Sequence, residues 1–185
     1  GGTLTVPAAV MGQLTLSGTG PLTLPGGGDK LVNGAVTNAG TLVWQQGLIR
    51  ATANGSTFTN TGLIDLQGDG TSFNLDIAGN TVVNAVGGTL RRSVGMGTAT
   101  ISLPLINSGT IEALSGTLNV ANGLSNIDVP STTLSGGAYR AIDGGGGATF
   151  LVQGAPAITT LAANTTVELS GVGAAVQFGV TALRS

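Results

Sequence analysis

The chain has 185 residues, a formal net charge of −2, six basic side chains, and neither cysteine nor histidine. Six scattered cations are too few for the phosphate contacts of a nucleic-acid binder or for an anionic membrane surface. The missing residue types exclude disulfides, thiolate metal sites and Ser-His-Asp or Cys-His catalysis. Glycine contributes 33 residues and hydrophobic residues 41 %, a composition that favours strands and turns over helices or disorder.

Residues 1–30 contain short runs that alternate between apolar residues and mostly threonine, at 3–6, 13–16 and 22–24. Period-two alternation predicts strands, and the glycines and prolines between the runs predict turns. We interpret 1–30 as N-terminal strands or first coils. Because the chain opens on two glycines without an initiator methionine, we interpret it as a processed chain or a fragment.

Residues 31–125 repeat one motif, apolar-x-Asn-x-Gly-x-apolar, at 36–42, 58–64 and 105–111, with a looser copy at 82–90. The regular recurrence of its glycine, at positions 40, 62, 88 and 109, is typical of a solenoid. Repeats that return in one direction stack most simply in parallel, and parallel crossovers are usually right-handed. We therefore predict an all-β, right-handed parallel β-helix with about 20–26 residues per coil and about eight coils.

The motif assigns a role to each position. Its apolar residues are predicted to form two inward columns: Val36, Phe58, Val82 and Leu105, then Leu42, Ile64, Leu90 and Ile111. The asparagines are predicted to stack as an inward ladder, with a bulge near Gly87 admitting the third: Asn38, Asn60, Asn84 and Asn107. The corner glycines are predicted to permit the backbone angles of the bend: Gly40, Gly62, Gly88 and Gly109.

Counting three residues past each corner glycine gives Val43, Asp65, Arg91 and Glu112. The last three alternate in sign and are predicted to form an outer charge column. Exposed ion pairs contribute about 0–1 kcal/mol each, so we interpret the column as a device that fixes register.

The same residues leave chemical alternatives open. Carbohydrate cleavage needs two carboxyl groups about 5–9 Å apart, and the candidates, with Trp44 as a sugar platform, are Asp65, Asp69, Asp76, Arg91 and Glu112. A calcium site at 65–70 is weaker, because Gly/Asp calcium repeats recur in tandem. Thr-x-Thr pairs recur too irregularly for an ice-binding face.

Residues 126–185 lack the motif but retain strand patterns, which predicts a less regular continuation of the solenoid. Four consecutive glycines at 144–147 lack the Lys-Ser/Thr of a phosphate-binding loop, so we interpret them as flexible surface.

The segments FTNTGLI (58–64) and INSGTI (106–111) resemble the Asn-x-Gly-Thr-Ile/Leu repeats of bacterial autotransporter-like and filamentous-haemagglutinin-like surface proteins. Residues 133–139, followed by 157–171, are similar to a module of the same giant proteins. The resemblance implies secretion, a rod-like parallel β-helix and a role in adhesion, biofilm or fibre building. It implies no catalytic residues.

We therefore expect an extracellular or cell-surface structural or adhesive solenoid, with no catalytic residue, metal, cofactor, membrane insertion or nucleic-acid partner. The alternative is a carbohydrate-binding or carbohydrate-cleaving β-helix. Neither end of the sequence resembles a cap, and exposed strand edges recruit strands. Head-to-tail self-association or further coils of the same chain are thus the expected partners, with surface glycans as another candidate.

Overall fold

The computed structural model describes residues 11–51, 53–75, 79–179 and 181–184. These residues form 23 short strands and no helix, which confirms the predicted all-β class. The predicted strand at 3–6, the candidate Asp76 and the end of the strand pattern at Val180 lie outside the described residues.

The first five coils each contain three strands. They are β1 (Met11–Leu16), β2 (Leu22–Leu24), β3 (Lys30–Leu31); β4 (Asn33–Asn38), β5 (Thr41–Trp44), β6 (Leu48–Ala51); β7 (Thr57–Asn60), β8 (Leu63–Leu66), β9 (Ser72–Leu75); β10 (Thr81–Asn84), β11 (Thr89–Arg92), β12 (Thr98–Ile101); and β13 (Leu105–Asn107), β14 (Thr110–Ala113), β15 (Gly116–Val120).

The remaining chain forms two longer coils and a final hairpin strand. Their strands are β16 (Ile127–Asp128), β17 (Thr133–Leu134), β18 (Ala138–Ile142), β19 (Ala148–Val152), β20 (Thr160–Leu161), β21 (Thr166–Ser170), β22 (Ala174–Phe178) and β23 (Thr181–Arg184).

In the first five coils, each strand stacks on the strand three places earlier in the chain, which lies one coil before it. Sheet 1 has the order β1-β4-β7-β10-β13, and sheet 2 the order β2-β5-β8-β11-β14-β18-β21. Sheet 3 runs β3-β6-β9-β12-β15-β19-β22 and ends on β23, while sheet 4 is β16-β17-β20. All pairings in sheets 1 and 2 are parallel. The predicted parallel β-helix is confirmed, with about seven coils.

Strand alternation explains the core. In β5, β7, β10 and β11 every second residue is buried, so side chains point alternately to the interior and to the surface. The two inward columns of the motif stack in register, and all eight side chains are buried. Apolar burial along these columns is the main driving force for stacking one coil on the next.

Coil length varies more than the motif suggests. Leu31 pairs with Arg50, whereas Leu118 pairs with Phe150, so the later coil takes up far more chain than the early one. The extra chain in the later coil includes an excursion through β16 and β17, which pair antiparallel outside the three main sheets. The core pairing therefore keeps its register while the connections between strands differ in length.

Beyond β13, sheet 1 continues only as an isolated parallel bridge between Leu105 and Leu124, and a side chain then takes the place of the strand. The Asn126 amide donates to the Asn107 carbonyl at 2.7 Å, and its oxygen accepts the Asn107 backbone N–H at 2.7 Å. A primary amide presents the same donor and acceptor pair as a peptide group. Asn126 therefore satisfies this edge residue while the chain leaves the stack.

Candidate functional site

A column of alternating charges follows the outer face of sheet 2. Parallel pairing aligns five charged residues on successive coils: Asp65, Arg91, Glu112, Arg140 and Glu168. Stacked strands are about 4.8 Å apart, so each inner member has the opposite sign on both sides. The three residues predicted from the motif are the first members of this five-residue charge column.

Two arginines of the charge column converge on Glu112. Its Oε1 accepts from Arg91 Nε at 2.6 Å, and its Oε2 accepts from Arg140 Nη1 at 3.2 Å. Arg140 Nε donates to Glu168 Oε2 at 2.7 Å, and this contact raises the pKa of Arg140. The Glu112 side chain is only 5 % exposed, against 46 % for Glu168. The prediction of an exposed column is thus wrong at Glu112, because the two arginines cover it.

Asp65 departs from the predicted pairing. It lies opposite Arg91 in register, but Arg91 Nε turns to Glu112 instead. Asp65 Oδ2 accepts from Gln67 Nε2 at 3.0 Å and from Ser93 Oγ at 2.8 Å, while its buried Oδ1 has no hydrogen-bond partner. Asp65 is itself buried, so the expected exposed Asp-Arg pair is replaced by neutral donors.

Arg140 and Glu168 were not predicted as members of the charge column, because the coils that carry them are longer. The register pairs Glu112 with Arg140 and Arg140 with Glu168, and each of these pairs is further apart in sequence than Arg91 and Glu112. A signal for Arg140 was nevertheless present. It stands three positions after Gly137, the same offset that defines the earlier members.

A further arginine, Arg92, is fully buried inside the solenoid. Its neighbour in the inward column is Ala113, which leaves room for the long side chain. Arg92 Nη1 donates to the carbonyls of Leu66 at 3.2 Å and Gly68 at 2.8 Å, and Nη2 bonds Asp69. Asp69 also accepts the Gly97 N–H at 3.1 Å. Arg92 therefore ties two coils together at a corner.

Within the part of the chain that the structure describes, the acidic candidates are not grouped as a metal site. Asp65 and Asp69 each bind donors of the protein. Across the described ranges, no group of three or more carboxylates is positioned to hold an ion. The segment 65–70 is a polar corner that contributes structural hydrogen bonds.

The aromatic residues form two packed groups inside the solenoid. Trp44 meets Phe73 edge to face at a centroid distance of 4.8 Å, and Tyr139 stacks on Phe150 at 5.7 Å. All six aromatic side chains of the sequence are buried: Trp44, Phe58, Phe73, Tyr139, Phe150 and Phe178. Trp44 therefore cannot serve as a sugar platform beside the charge column, because its ring faces the core.

The four motif asparagines form a continuous buried ladder at the corner between sheets 1 and 2. Asn38 Nδ2 donates to Asn60 Oδ1, Asn60 to Asn84 and Asn84 to Asn107, each at 2.8 Å. The same Nδ2 atoms bond corner carbonyls, as Asn60 does with Gly62 at 3.1 Å. Asn38 and Asn60 thus satisfy both their own corner and the next coil, and Asn84 bonds Asn107 and the Thr110 carbonyl of the next coil, which explains why one residue type recurs.

The ladder ends beneath Tyr139. Asn107 lies below Gly137, where a Cβ atom would stand 2.3 Å from Asn107 Nδ2. Burial raises the pKa of Tyr139 to about 12, against a smaller lowering by the nearby Asn107 amide. The Tyr139 hydroxyl faces this amide without a hydrogen bond of ordinary geometry. The Asn ladder therefore ends at Asn107, where Gly137 on the next coil lies too close to admit a side chain.

The corner glycines are required for a reason other than the predicted one. None of the four has a left-handed backbone. Within the motif that conformation occurs at Gly87, whose φ is +83°. Gly87 lies in a turn that is closed by a hydrogen bond from Gly88 N–H to Ala85 O, and this turn stands where a bulge was predicted. A Cβ on Gly62 would stand 2.1 Å from Gly40 O, and one on Gly109 would stand 2.2 Å from Gly88 O. Close approach of successive coils, and not unusual φ, therefore selects glycine at positions 62, 88 and 109, whereas a Cβ on Gly40 would meet nothing closer than 3.4 Å.

We expect Glu112→Gln to lower the free energy of unfolding by about 1–3 kcal/mol, because two part-buried, charge-assisted hydrogen bonds to a buried carboxylate are weakened. The matched control is Glu168→Gln, whose exposed side chain should contribute about 0–1 kcal/mol. Urea unfolding of both variants measures the difference. Equal effects would show that burial of Glu112 is unimportant.

The glycine run at 144–147 is organised by Asp143. Its Oδ1 accepts the backbone N–H groups of Gly145, Gly146 and Gly147 at 2.7, 2.9 and 2.8 Å. Its Oδ2 accepts Gly173 N–H at 2.9 Å, one coil further on. The run lies at the surface as predicted, and the Asp143 carboxylate holds three of its four amides in hydrogen bonds.

Acid should weaken this loop. The hydrogen bond from Gly145, with those from the other glycines, holds the pKa of Asp143 below its usual range. A lowered folded-state pKa stabilises the fold above the unfolded-state pKa, and that contribution is lost as pH falls through the folded value. We expect Asp143→Asn to melt earlier than the parent at neutral pH, with the gap narrowing as the pH falls below the ordinary Asp pKa of about 3.9.

The control for this pH series is Gly144→Ala, which keeps the carboxylate and adds a Cβ with nothing within 4 Å. Thermal melts of the three proteins across the acidic range provide the measurement. A gap between parent and Asp143→Asn that does not change with pH would contradict the assignment.

No protein-family model, curated protein or solved structure matches this chain. Within the residues described, no helix is long and apolar enough to cross a membrane.

Proposed function

We propose that this protein is an extracellular or cell-surface β-solenoid with a structural or adhesive role and no catalytic activity of its own. The observation that carries the proposal is the use of its charged side chains. Most of the charged side chains that the structure describes bond to residues of a neighbouring coil. They do not converge to form a reactive group.

Contacts of this kind between adjacent coils recur along the solenoid. Arg50 binds Asp29 at 2.7 Å across the first two coils, and Arg92 binds Asp69 across the third and fourth. Lys30 reaches the Gln46 carbonyl at 2.9 Å on the following coil. Together with the charge column and the Asn ladder, they make a stiff scaffold from a chain that is only 8 % charged.

The surface also supports a structural or adhesive role. On sheet 1, Thr15, Thr37 and Thr59 stack in one outward column, and Val83 and Ile106 continue it without charge. The most exposed apolar side chains, such as Val86 and Met96, are dispersed over separate turns, and such scattered residues are ordinary surface. A broad, uncharged sheet face is suited to contact with a surface, and the resemblance to adhesin repeats points the same way.

The location and role can be tested on the native source with an antibody raised against the purified chain. We expect immunogold label on intact, unpermeabilised cells or on extracellular fibres, with a cytoplasmic marker as the control. Beads coated with the protein should attach to cells or matrix, and free protein should compete. Label that appears only after permeabilisation would overturn the proposal.

We expect no release of reducing ends from a panel of polysaccharides, because Glu112 and Asp65 are committed to protein donors and the aromatics are buried. Asp65→Asn and Glu112→Gln are the matched variants for this assay. Cleavage by the parent that disappears in either folded variant would establish the carbohydrate-cleaving alternative instead.

A further inference from the structure

Thr132 has a backbone conformation that threonine rarely adopts. Its φ is +51°, and among the described residues it is the only non-glycine with a positive φ. A β-branched side chain is disfavoured in this region, and such an outlier persists only where its surroundings impose it. The chain has 33 glycines and uses glycine at every other left-handed position that the structure describes. A threonine at this position therefore calls for a reason beyond turn formation.

The strained residue closes the turn between β16 and β17, which pair antiparallel in the excursion. Pro130 restricts the loop that joins these two strands. Thr132 N–H donates to Val129 O at 3.3 Å, and Thr132 O accepts the Thr159 N–H at 3.0 Å. Hydrogen bonds on both sides of the Thr132 Cα therefore hold the strained angle in place.

The Thr132 hydroxyl lies against the peptide bond that precedes it. Its Oγ1 donates to Ser131 O at 2.8 Å and also contacts Thr159 Oγ1 at 2.5 Å. A further hydroxyl, that of Thr133, donates to the same Ser131 carbonyl oxygen at 3.4 Å. One peptide bond thus has a nucleophile beside it, a hydroxyl that can relay the proton of the nucleophile, and a donor to its carbonyl oxygen.

We propose that the chain cleaves its own backbone between Ser131 and Thr132 by an N→O acyl shift. Thr132 Oγ1 attacks the Ser131 carbonyl carbon, the C–N bond breaks, and the hydroxyl proton passes to the departing Thr132 nitrogen. The product is an ester that links the Ser131 carbonyl to Thr132 Oγ1. Water then hydrolyses the ester and leaves a carboxyl group on Ser131 and a free amine and hydroxyl on Thr132.

The geometry promotes each step of this reaction. Conversion of the amide into an ester releases the imposed φ of Thr132, because the chain then runs through the side chain. The Thr133 hydroxyl is directed at the oxygen on which negative charge develops, and Thr159 relays the proton. Ser131 is exposed and Thr132 is only partly buried, so water reaches the ester. The reaction is a single turnover on the protein's own backbone and is independent of the proposed structural or adhesive role.

Cleavage at this bond does not divide the solenoid. The bond lies in the excursion, and parallel pairing of β14 with β18 and of β15 with β19 still joins the two parts. Residues 1–131 and 132–185 therefore stay associated under native conditions and separate only on denaturation. The product is a nicked solenoid with a new amino terminus at Thr132.

The test follows the purified chain at neutral pH by denaturing electrophoresis and intact-mass spectrometry. We expect two fragments, 1–131 and 132–185, whose masses sum to the parent plus one water, while gel filtration still shows one species. Hydroxylamine, which attacks esters faster than amides, should speed cleavage and leave a hydroxamate on Ser131. The fragment masses separate this site from Asn-Gly bonds, which hydroxylamine also cleaves. Absence of these fragments both with and without hydroxylamine overturns the proposal.

The nucleophile is tested by three changes at one position. Thr132→Val keeps the β-branched shape without the hydroxyl and should not cleave. Thr132→Gly removes both the hydroxyl and the strain, so it supplies a folded protein if the valine variant does not fold, and it should not cleave either. Thr132→Ser retains a hydroxyl and should still cleave. Cleavage of the valine or glycine variant at the parental rate would identify a contaminating protease and would overturn the proposal.

The proton relay is tested separately. Thr159→Val should slow cleavage by about tenfold or more, because it removes the hydroxyl that contacts the nucleophile. The matched control is Thr160→Val, the same change at the next residue, which should leave the rate unchanged. Equal rates in the parent and in Thr159→Val would overturn the role assigned to Thr159.

Discussion

Asn60→Ala is expected to destabilise the protein by about 3 kcal/mol. Asn60 is fully buried and bonds both neighbours of the Asn ladder at 2.8 Å. Its loss leaves Asn84 Oδ1 without that donor and removes one acceptor of Asn38, and each unsatisfied buried polar group costs roughly 1–3 kcal/mol. Urea unfolding monitored by circular dichroism gives the free energy.

The matched control is Asn119→Ala, the same change on an outward position of β15. Asn119 makes one long contact, to Gln153 at 3.4 Å, so its loss should change stability by at most about 0.5 kcal/mol. An Asn60 variant as stable as the Asn119 variant would show that the ladder does not hold the coils.

Gly62→Ala is expected to be more damaging, with a loss of about 3–5 kcal/mol or failure to fold. The new Cβ would stand 2.1 Å from the Gly40 carbonyl oxygen, and backbone on the adjacent coil can move only by separating the stack. Overpacking of a tight core typically costs about 1–3 kcal/mol, and a clash with backbone exceeds that.

Two other glycines make this prediction specific. Gly40→Ala, at the same motif position, should be mild because its nearest contact is 3.4 Å. Gly20→Ala, with nothing within 4 Å, should be neutral. If Gly40→Ala and Gly62→Ala cost the same, a shared backbone conformation would explain the glycines and the close-approach account would be wrong.

The sequence predicts the regular part of this fold well because one constraint repeats there. The recurring Asn-x-Gly motif places Asn38, Asn60, Asn84 and Asn107 on successive coils, and their stacking follows from the period alone. The identity of the inward columns follows in the same way. Both inferences need only the rule that identical positions stack.

What the sequence does not reveal depends on contacts between distant residues. Glycine is selected equally by positive φ and by close approach, so the motif could not distinguish these reasons at Gly62. Burial of Glu112 depends on Arg140, which lies beyond the excursion through β16 and β17. Arg92 directly follows Arg91 in the sequence, and its burial depends on the small Ala113 beside it on the next coil.

The central claim is that equivalent motif positions lie side by side on adjacent parallel coils, and cysteine pairs test it most directly because the chain has no cysteine. Thr37 and Thr59 are register partners, as are Thr59 and Val83. Neighbouring strands are about 4.8 Å apart, within disulfide reach, whereas two coils separate Thr37 from Val83 by about 10 Å, beyond the roughly 7 Å limit. Mild oxidation should cross-link Thr37→Cys with Thr59→Cys, and Thr59→Cys with Val83→Cys, but not Thr37→Cys with Val83→Cys. Cross-linking of the third pair, or of none, would contradict the stacked-coil account.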